Sequence, residues 1–452
     1  MTQTLKYRTI RSGSWVILGH LFSQLLRFCS NLILTRLLVP EMFGVMAIVT
    51  VIMSGLAMFS DVGLMQNIIQ SNRGEDRDFL NTAWTIQVLR GAVLFIITLV
   101  ISLILYQLGQ MGYLSPSTAY GNEQLPMILA VMSLTALIAG ANSIYLSLLN
   151  RKLLMGKLIT IGIISQVIGL MFMLIWAWYN RDIWALVFGG VVSSFIKLLL
   201  SHSQLITEKC QWCWDKTAVH EIFHFGKWVF LSSILGFLVN QGDRVLLGGM
   251  IDSQLLGVYT VAFFLANALK EVMVKLISSV FYPVISETIR NAPESLEKVY
   301  YKIKNKIDFV TFFMAGCIFS SGQKIIYFVY DQRYQDAGWM LEILALSLVS
   351  VGCILADQCF LAHGKAKLIS LLASVQVISL YCTVPLAYYF YGWELAIWMI
   401  ALNPMIRILL SAWIMKKYFF IDIKKEILAL PFLGVGLYVG EGFNRLKWEL
   451  WG

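Results

Sequence analysis

Among the ionisable side chains that stand inside apolar stretches, seven are singled out: Arg27, Arg90, the adjacent Asp243 and Arg244, Glu271 with Lys275, and Arg407. A charge in such surroundings is costly unless it is paired or faces water, so each one is a candidate functional group. The guanidinium is planar and presents a fork of donors that matches a phosphate oxygen pair. Arg27, Arg244, Arg90, Arg407 and the ammonium of Lys275 would together attract an anion, above all a phosphate or diphosphate. Asp243 and Glu271 are the side chains suited to carry a coupled proton or ion. Structural readings stand beside these. Glu271 and Lys275 are spaced i, i+4 in the favourable order and can neutralise each other. Asp243 and Arg244 can bind neighbouring helices together. Asp61 stands near the end of its stretch, where capping or snorkelling accounts for it. His20 is suited to titrate near neutral pH, or to be packed and hydrogen-bonded.

Other chemistries lack their residues. No GxxxxGK[ST] phosphate loop, HExxH or GxSxG occurs, which excludes a nucleotide motor and the familiar hydrolytic sites. The chain reads as a non-enzyme without cofactor. Cys210-x2-Cys213 with His220-x3-His224 resembles a zinc pattern on the page, but its spacer is too short for the common finger, and no metal is expected. Trp212 and Trp214 suit an interfacial anchor instead. The remaining cysteines lie in apolar stretches and behave as small hydrophobes.

The elements that must hold these groups are membrane helices. The chain has 452 residues, 58% hydrophobic and 13% charged. A hydrocarbon layer of about 30 Å takes about 20 apolar residues per helix. Twelve stretches qualify, near 13–37, 43–63, 82–107, 125–149, 157–179, 183–200, 226–250, 256–284, 307–330, 339–362, 366–390 and 393–415. The first follows Lys6, Arg8 and Arg11 with no clear cleavage site, and is expected to be an uncleaved span.

The net charge of +9 is distributed by connection, not gathered into a nucleic-acid surface. Alternate connections are rich in Lys and Arg: Arg73/Arg77, Arg151/Lys152/Lys157, Lys209/Lys216, Arg290 to Lys306, Lys365/Lys367 and Lys416 to Lys425. The segment 108–124 has neither residue. By the positive-inside pattern the N-terminus is cytoplasmic and 108–124 external.

The chain also repeats itself. Gly13, Trp15 and Val16 recur as Gly226, Trp228 and Val229, and Gly44-Val45 recurs as Gly257-Val258, each 213 residues on. Lys157-Leu158-Ile159 and Gln166-Val167-Ile168 recur 210 residues on. The expected organisation is a six-helix bundle over 1–200, a cytoplasmic linker over 201–225, a second six-helix bundle over 226–417, and a tail over 418–452. Two parallel repeats with a substrate path at their seam are the usual plan of a transporter. Residues 427–440 are interrupted by Pro431, Gly434, Gly436 and Gly440, and read as a partial or re-entrant helix. In 293–307, Leu296, Val299, Ile303 and Ile307 share one helical face and Lys298, Lys302 and Lys306 another. That pattern predicts a helix lying on anionic phospholipid headgroups.

Leu34-Thr35-Arg36-Leu37-Leu38-Val39-Pro40-Glu41-Met42-Phe43-Gly44 resembles the first-span exit of Wzx-type polysaccharide flippases. Asp61-Val62-Gly63-Leu64 with Ile68-Ile69-Gln70 resembles the end of their second span. Phe225-Gly226-Lys227 and Asn240-Gln241-Gly242-Asp243-Arg244 with Gly248 resemble their seventh. Leu256-Gly257-Val258-Tyr259 and Phe281-Tyr282-Pro283 resemble their eighth. These proteins form the polysaccharide transporter branch of the MOP exporter superfamily, and the resemblance covers most of the chain. It implies an all-α polytopic fold of two six-helix bundles around a cationic cavity. The implied task is moving an undecaprenyl-diphosphate-linked oligosaccharide from the inner to the outer leaflet. A lipid-linked oligosaccharide and other polysaccharide-assembly proteins are the implied partners. An ion-coupled drug or metabolite antiporter of the same superfamily is the nearest alternative. A membrane glycosyltransferase or polymerase, which would want a larger outer loop with acidic groups, ranks below it.

Overall fold

Among the described residues of the computed structural model, every regular element is a helix. The structure describes residues 2–61, 63–203, 210–420, 422, 425–426 and 428–445. Val62, Lys209 and Lys424 of the sequence reading lie outside the described residues, as do the side chains of Lys6, Arg8, Arg11, Phe225, Lys227, Trp228 and Leu231.

In chain order the first helices are α1 (Thr2–Leu37), α2 (Pro40–Phe59), α3 (Leu64–Gln70), α4 (Arg77–Gln110), α5 (Leu125–Ala141), α6 (Tyr145–Arg151), α7 (Met155–Tyr179), α8 (Trp184–Ser201) and α9 (Lys216–Met250). Next come α10 (Ser253–Leu276), α11 (Tyr282–Asn291), α12 (Leu296–Val329), α13 (Ala337–Ala345), α14 (Cys353–Ala362), α15 (Ala366–Tyr391), α16 (Trp393–Tyr418) and α17 (Leu430–Arg445). A π-helical turn, Ile277–Phe281, joins α10 to α11.

Local chemistry explains the boundaries. Val39 is extended before Pro40, which opens α2 where a missing N–H is harmless. Asp76 caps α4 and Asp215 caps α9, each side chain accepting a first-turn N–H. Gly392 turns the chain from α15 to α16 at φ 83°, a conformation open to glycine. Among the described residues ten helices are long and apolar enough to cross a membrane, or eleven if the pair α5 and α6, bent by 59°, is one span. The chain is a multi-pass membrane protein. The expected stretch 226–250 lies within α9.

The chain divides into two compact units, Met1–Leu256 and Gly257–Gly452. In the first, α4 and α5 meet at glycines: a Cβ on Gly91 would come within 2.8 Å of the Gly140 Cα. Small residues let membrane helices approach this closely. Gln87 donates from Nε2 to the carbonyls of Gly140 (3.0 Å) and Asn142 (2.9 Å), satisfying groups freed where α5 ends and the chain bends. Helix α2 packs on α9, with Phe237 against Phe59 at 4.9 Å between ring centroids and Gly248 under Ile48.

In the second unit the expected lipid-lying helix takes another role. Residues 296–329 are one continuous helix, and Leu296, Ile303 and Ile307 are buried in the core with Tyr300 and Tyr301. The apolar face is covered by protein, not lipid, while Lys298, Lys302 and Lys306 stay exposed. The tail helix α17 runs parallel to α12. Gly436 meets the backbone of Phe313, and Gly440 meets Ser320 and Cys317.

Candidate functional site

Three of the arginines singled out by sequence, Arg27, Arg90 and Arg244, fall in the first unit. On α1, His20, Gln24, Arg27 and Asn31 are spaced i, i+4, i+7 and i+11, so they form one polar stripe. Leu18, Phe22, Leu25, Cys29 and Ile33 form a separate exposed apolar stripe that suits lipid. Between the two, α1 packs on α7: Ser23 donates to Gln166 Oε1 at 2.5 Å, and Gly19 abuts Ile159. Arg27 is exposed, on the polar side and away from the apolar stripe.

Arg90 lines a cavity of about 460 Å³ between α2, α4 and α5. Thr50, Ser54, Gln87, Thr98 and Thr135 supply its polar wall, Met53, Leu94 and Met132 much of its apolar wall. The guanidinium is anchored at the end of α2. Nε donates to Ser60 Oγ (2.8 Å), Nη2 to the Ala57 carbonyl (2.5 Å), and Nη1 lies 3.9 Å from Asp61. The Asp61 carboxylate also accepts the Gly63 N–H. Arg90 therefore closes a helix C-terminus, where a cation is favoured, and puts positive charge at the cavity edge.

Arg244 is half-buried on α9, and its Nη1 donates to Gln241 at 3.1 Å. It shares a helical stripe with Phe237 and Gly248, the residues that touch α2 and Ile48, so it emerges on the α2 side of α9. Its neighbour Asp243 is buried at 5% exposure. Glu271 and Lys275 are both exposed near the end of α10.

The second unit treats its charges differently. Arg407 on α16 donates to Asp357 on α14 at 2.5 Å, with the aspartate 6% exposed. Lys304 is buried between Asp308 (2.5 Å) and Glu426 (3.0 Å). Asp357, Asp308 and Glu426 escape the sequence reading. The Lys304–Asp308 spacing of i, i+4 was a usable signal for one of them. Nothing local points from Asp357 to Arg407, fifty residues on.

Outside the apolar helices, a strap holds the approach to α9. The backbone N–H groups of Gln211, Cys213 and Asp215 donate to Asn81, Thr85 and Thr82 on α4, and Trp212 stacks edge-on against Trp84. Arg73 binds Asp215 at 2.8 Å and Asp76 at 2.9 Å. The Arg73 hydrogen bond, then those from Thr217, hold the Asp215 carboxyl down at about 2. A depressed carboxyl pKa means this support is complete above the ordinary aspartate range and is lost as pH falls through about 2. Cys213 is thus part of a strap. Among the described residues no three His, Cys, Asp or Glu side chains are placed to hold a metal.

The fold is similar to that of a solved structure of the lipid II flippase MurJ, itself in an inward closed conformation: TM-score 0.72 at 13% identity, covering 96% of this chain and 94% of that one. An inward-facing multidrug resistance MATE family transporter of the MOP superfamily gives 0.64 at 13% identity, covering 95% and 99%. An uncharacterized membrane protein in the cps region of Klebsiella pneumoniae is 22% identical over 402 residues, 86% of this chain and 78% of that protein. The succinoglycan biosynthesis transport protein ExoT of Rhizobium meliloti (strain 1021) is 22% identical over 350 residues, 77% and 68%. A family profile described as polysaccharide biosynthesis protein matches residues 33–339, so this chain belongs to that polysaccharide biosynthesis family.

Proposed function

We propose that the protein flips an undecaprenyl-diphosphate-linked oligosaccharide from the inner to the outer leaflet for surface polysaccharide assembly. The observation that carries this reading is the uneven placement of cations. Arg27, Arg90 and Arg244 lie in the first unit, on a polar stripe, at a cavity edge and on a helix seam. Arg407 of the second unit is matched to a buried carboxylate. Guanidinium groups held off lipid suit a diphosphate, while an uncharged membrane-soluble drug would not need them. Family membership and a transport protein among the relatives support the same reading, as does the fold shared with a lipid flippase. The duplicated chain and the missing phosphate loop fit alternating access without ATP hydrolysis. Asp243 and Glu271 are the proposed ion-coupling carboxylates, and Lys275 a further contact for the anionic headgroup. The exposed Lys298, Lys302 and Lys306 suit anionic phospholipid.

The MATE-like fold keeps an ion-coupled antiporter as the second reading. Proteoliposomes carrying a labelled undecaprenyl-diphosphate oligosaccharide separate the two. Glycan exposed at the far leaflet should be oxidised by an impermeant reagent at a rate that needs the protein. Arg27→Ala and Arg244→Ala should each slow this by about 10- to 100-fold, the value of one charge-assisted hydrogen bond. Lys at either position should restore part of the rate. Unchanged rates in both alanine variants would end the diphosphate role, and drug efflux without glycan movement would favour the antiporter.

A further inference from the structure

In the first unit one loop is fastened to two corners of the fold that the sequence makes equivalent. The first corner, 38–39, joins α1 to α2 and is followed by Gly44-Val45. The second, 251–252, joins α9 to α10 and is followed by the recurrence Gly257-Val258, 213 residues on. The loop is 111–124, between α4 and α5, and it lies in the segment without Lys or Arg that charge reads as external.

At the second corner the grip is backbone to backbone. Thr118 pairs with Asp252 in a single antiparallel bridge, and the Ser253 N–H donates to the Ser117 carbonyl at 2.9 Å. Further back on α9, the Tyr120 hydroxyl donates to the Val245 carbonyl at 3.3 Å, and its ring lies against Gly248 and Gly249. A Cβ on Gly248 would meet both the Tyr120 ring and Ile48 of α2, so the glycine lets loop, α2 and α9 converge. At the first corner Asn122 Nδ2 donates to Glu41 Oε1 at 3.0 Å. Between the two grips the loop is stiffened by a 3-10 turn, Ala119–Gly121, which Thr118 caps and in which Ala119 is buried. At both ends it continues into α4 and α5, which pack on each other at Gly91 and Gly140, so it moves with that pair. A hydrogen bond adds little net stability, so a grip of this kind can be broken and remade.

We propose that loop 111–124 is a latch: it travels with α4 and α5, stays on the first corner, and lets go of the 251–252 corner when the path opens on its side. The proposal rests on the alternating-access part of the flippase reading and adds its regulation, since the grip of Thr118 and Tyr120 sets how readily that side opens.

The test locks the latch in the full-length protein, in a background whose seven native cysteines are replaced by Ala or Ser. Opposed residues of an antiparallel pair have Cα atoms about 4.5–5.5 Å apart, within the roughly 4.4–6.8 Å that a disulfide spans. Thr118→Cys with Asp252→Cys should therefore cross-link under mild oxidation. In proteoliposomes carrying the labelled undecaprenyl-diphosphate oligosaccharide, the cross-link should abolish translocation, and reduction should restore it. A short bifunctional thiosulfonate joining Asn122→Cys to Glu41→Cys ties the loop to the first corner alone and should leave the rate unchanged. Each single-cysteine variant, given the same reagents, is the control. Full translocation through the 118–252 cross-link, equal loss from the 122–41 cross-link, or a 118–252 pair that does not cross-link overturns the proposal. Spin labels on Tyr113→Cys and Gln254→Cys, both exposed positions, read the latch without glycan and should show two distances, latched and released. Both distances in a protein that moves no glycan reject the flippase reading and keep the latch. One fixed distance in a protein that does move glycan rejects the latch alone.

Discussion

At the scale of single residues, what matters is whether a buried charge already has its partner. Arg407 and Asp357 make a near-buried pair with side chains 18% and 8% exposed. Asp357→Ala would strand a guanidinium in a membrane-embedded unit, at a cost of about 3–5 kcal/mol. The double change Asp357→Leu with Arg407→Met removes both charges and should recover most of that loss. Thermal unfolding in detergent checks both, the single variant falling well below the double. If the two fall equally, the pair acts in something other than mutual neutralisation. Arg27 sits at the other extreme: exposed on a polar stripe, it can be changed with little structural penalty, which makes it the cleanest probe of substrate binding.

At the scale of elements, α17 shows how glycine sets a helix seam. Gly436 and Gly440 face α12, and a Cβ on Gly440 would collide with Ser320 and stand 2.7 Å from the Cys317 carbonyl. Gly434 and Gly442 on the same helix have open space at that position. Gly440→Leu should therefore destabilise the seam by about 1–3 kcal/mol through overpacking. Gly434→Ala, in contrast, should be neutral or stabilising by about 0.5–1 kcal/mol, since alanine costs a helix less backbone entropy than glycine. Thermal unfolding of the two variants side by side reads the difference. Equal shifts would mean that α17 does not pack this way in the membrane. With 16 residues, α17 is about 24 Å long at 1.5 Å per residue, so it is a short helix supported by α12 and not a free span.

At the scale of the whole molecule, orientation follows from charge. The segment 108–124 without Lys or Arg should be external, and the lysine-rich connection around Ser295 internal. A single cysteine placed at Ser115, an exposed position, should react with an impermeant maleimide in intact cells. One placed at Ser295 should react only after lysis. The reverse pattern would invert the topology and with it the direction of translocation.

Composition, hydropathy and periodicity are local properties of the chain, and what they specify was legible in it. They gave the membrane class and the positions of the apolar helices, because a helix satisfies its backbone within its own segment. Ionisable residues that interrupt apolar runs were legible as such, Asp357 among them although the sequence reading passed it over. Partnership was not. Asp357 and Arg407 are fifty residues apart, and Lys304 and Glu426 more than a hundred, so only the packing of helices brings them together. The helix over 293–307 shows the same limit: its two faces were readable, but protein and lipid are equally apolar, so sequence could not say which one covers Leu296, Ile303 and Ile307. The grip of loop 111–124 on the 251–252 corner had no sequence signal at all. It joins segments more than a hundred residues apart largely through backbone groups, which nearly every residue carries.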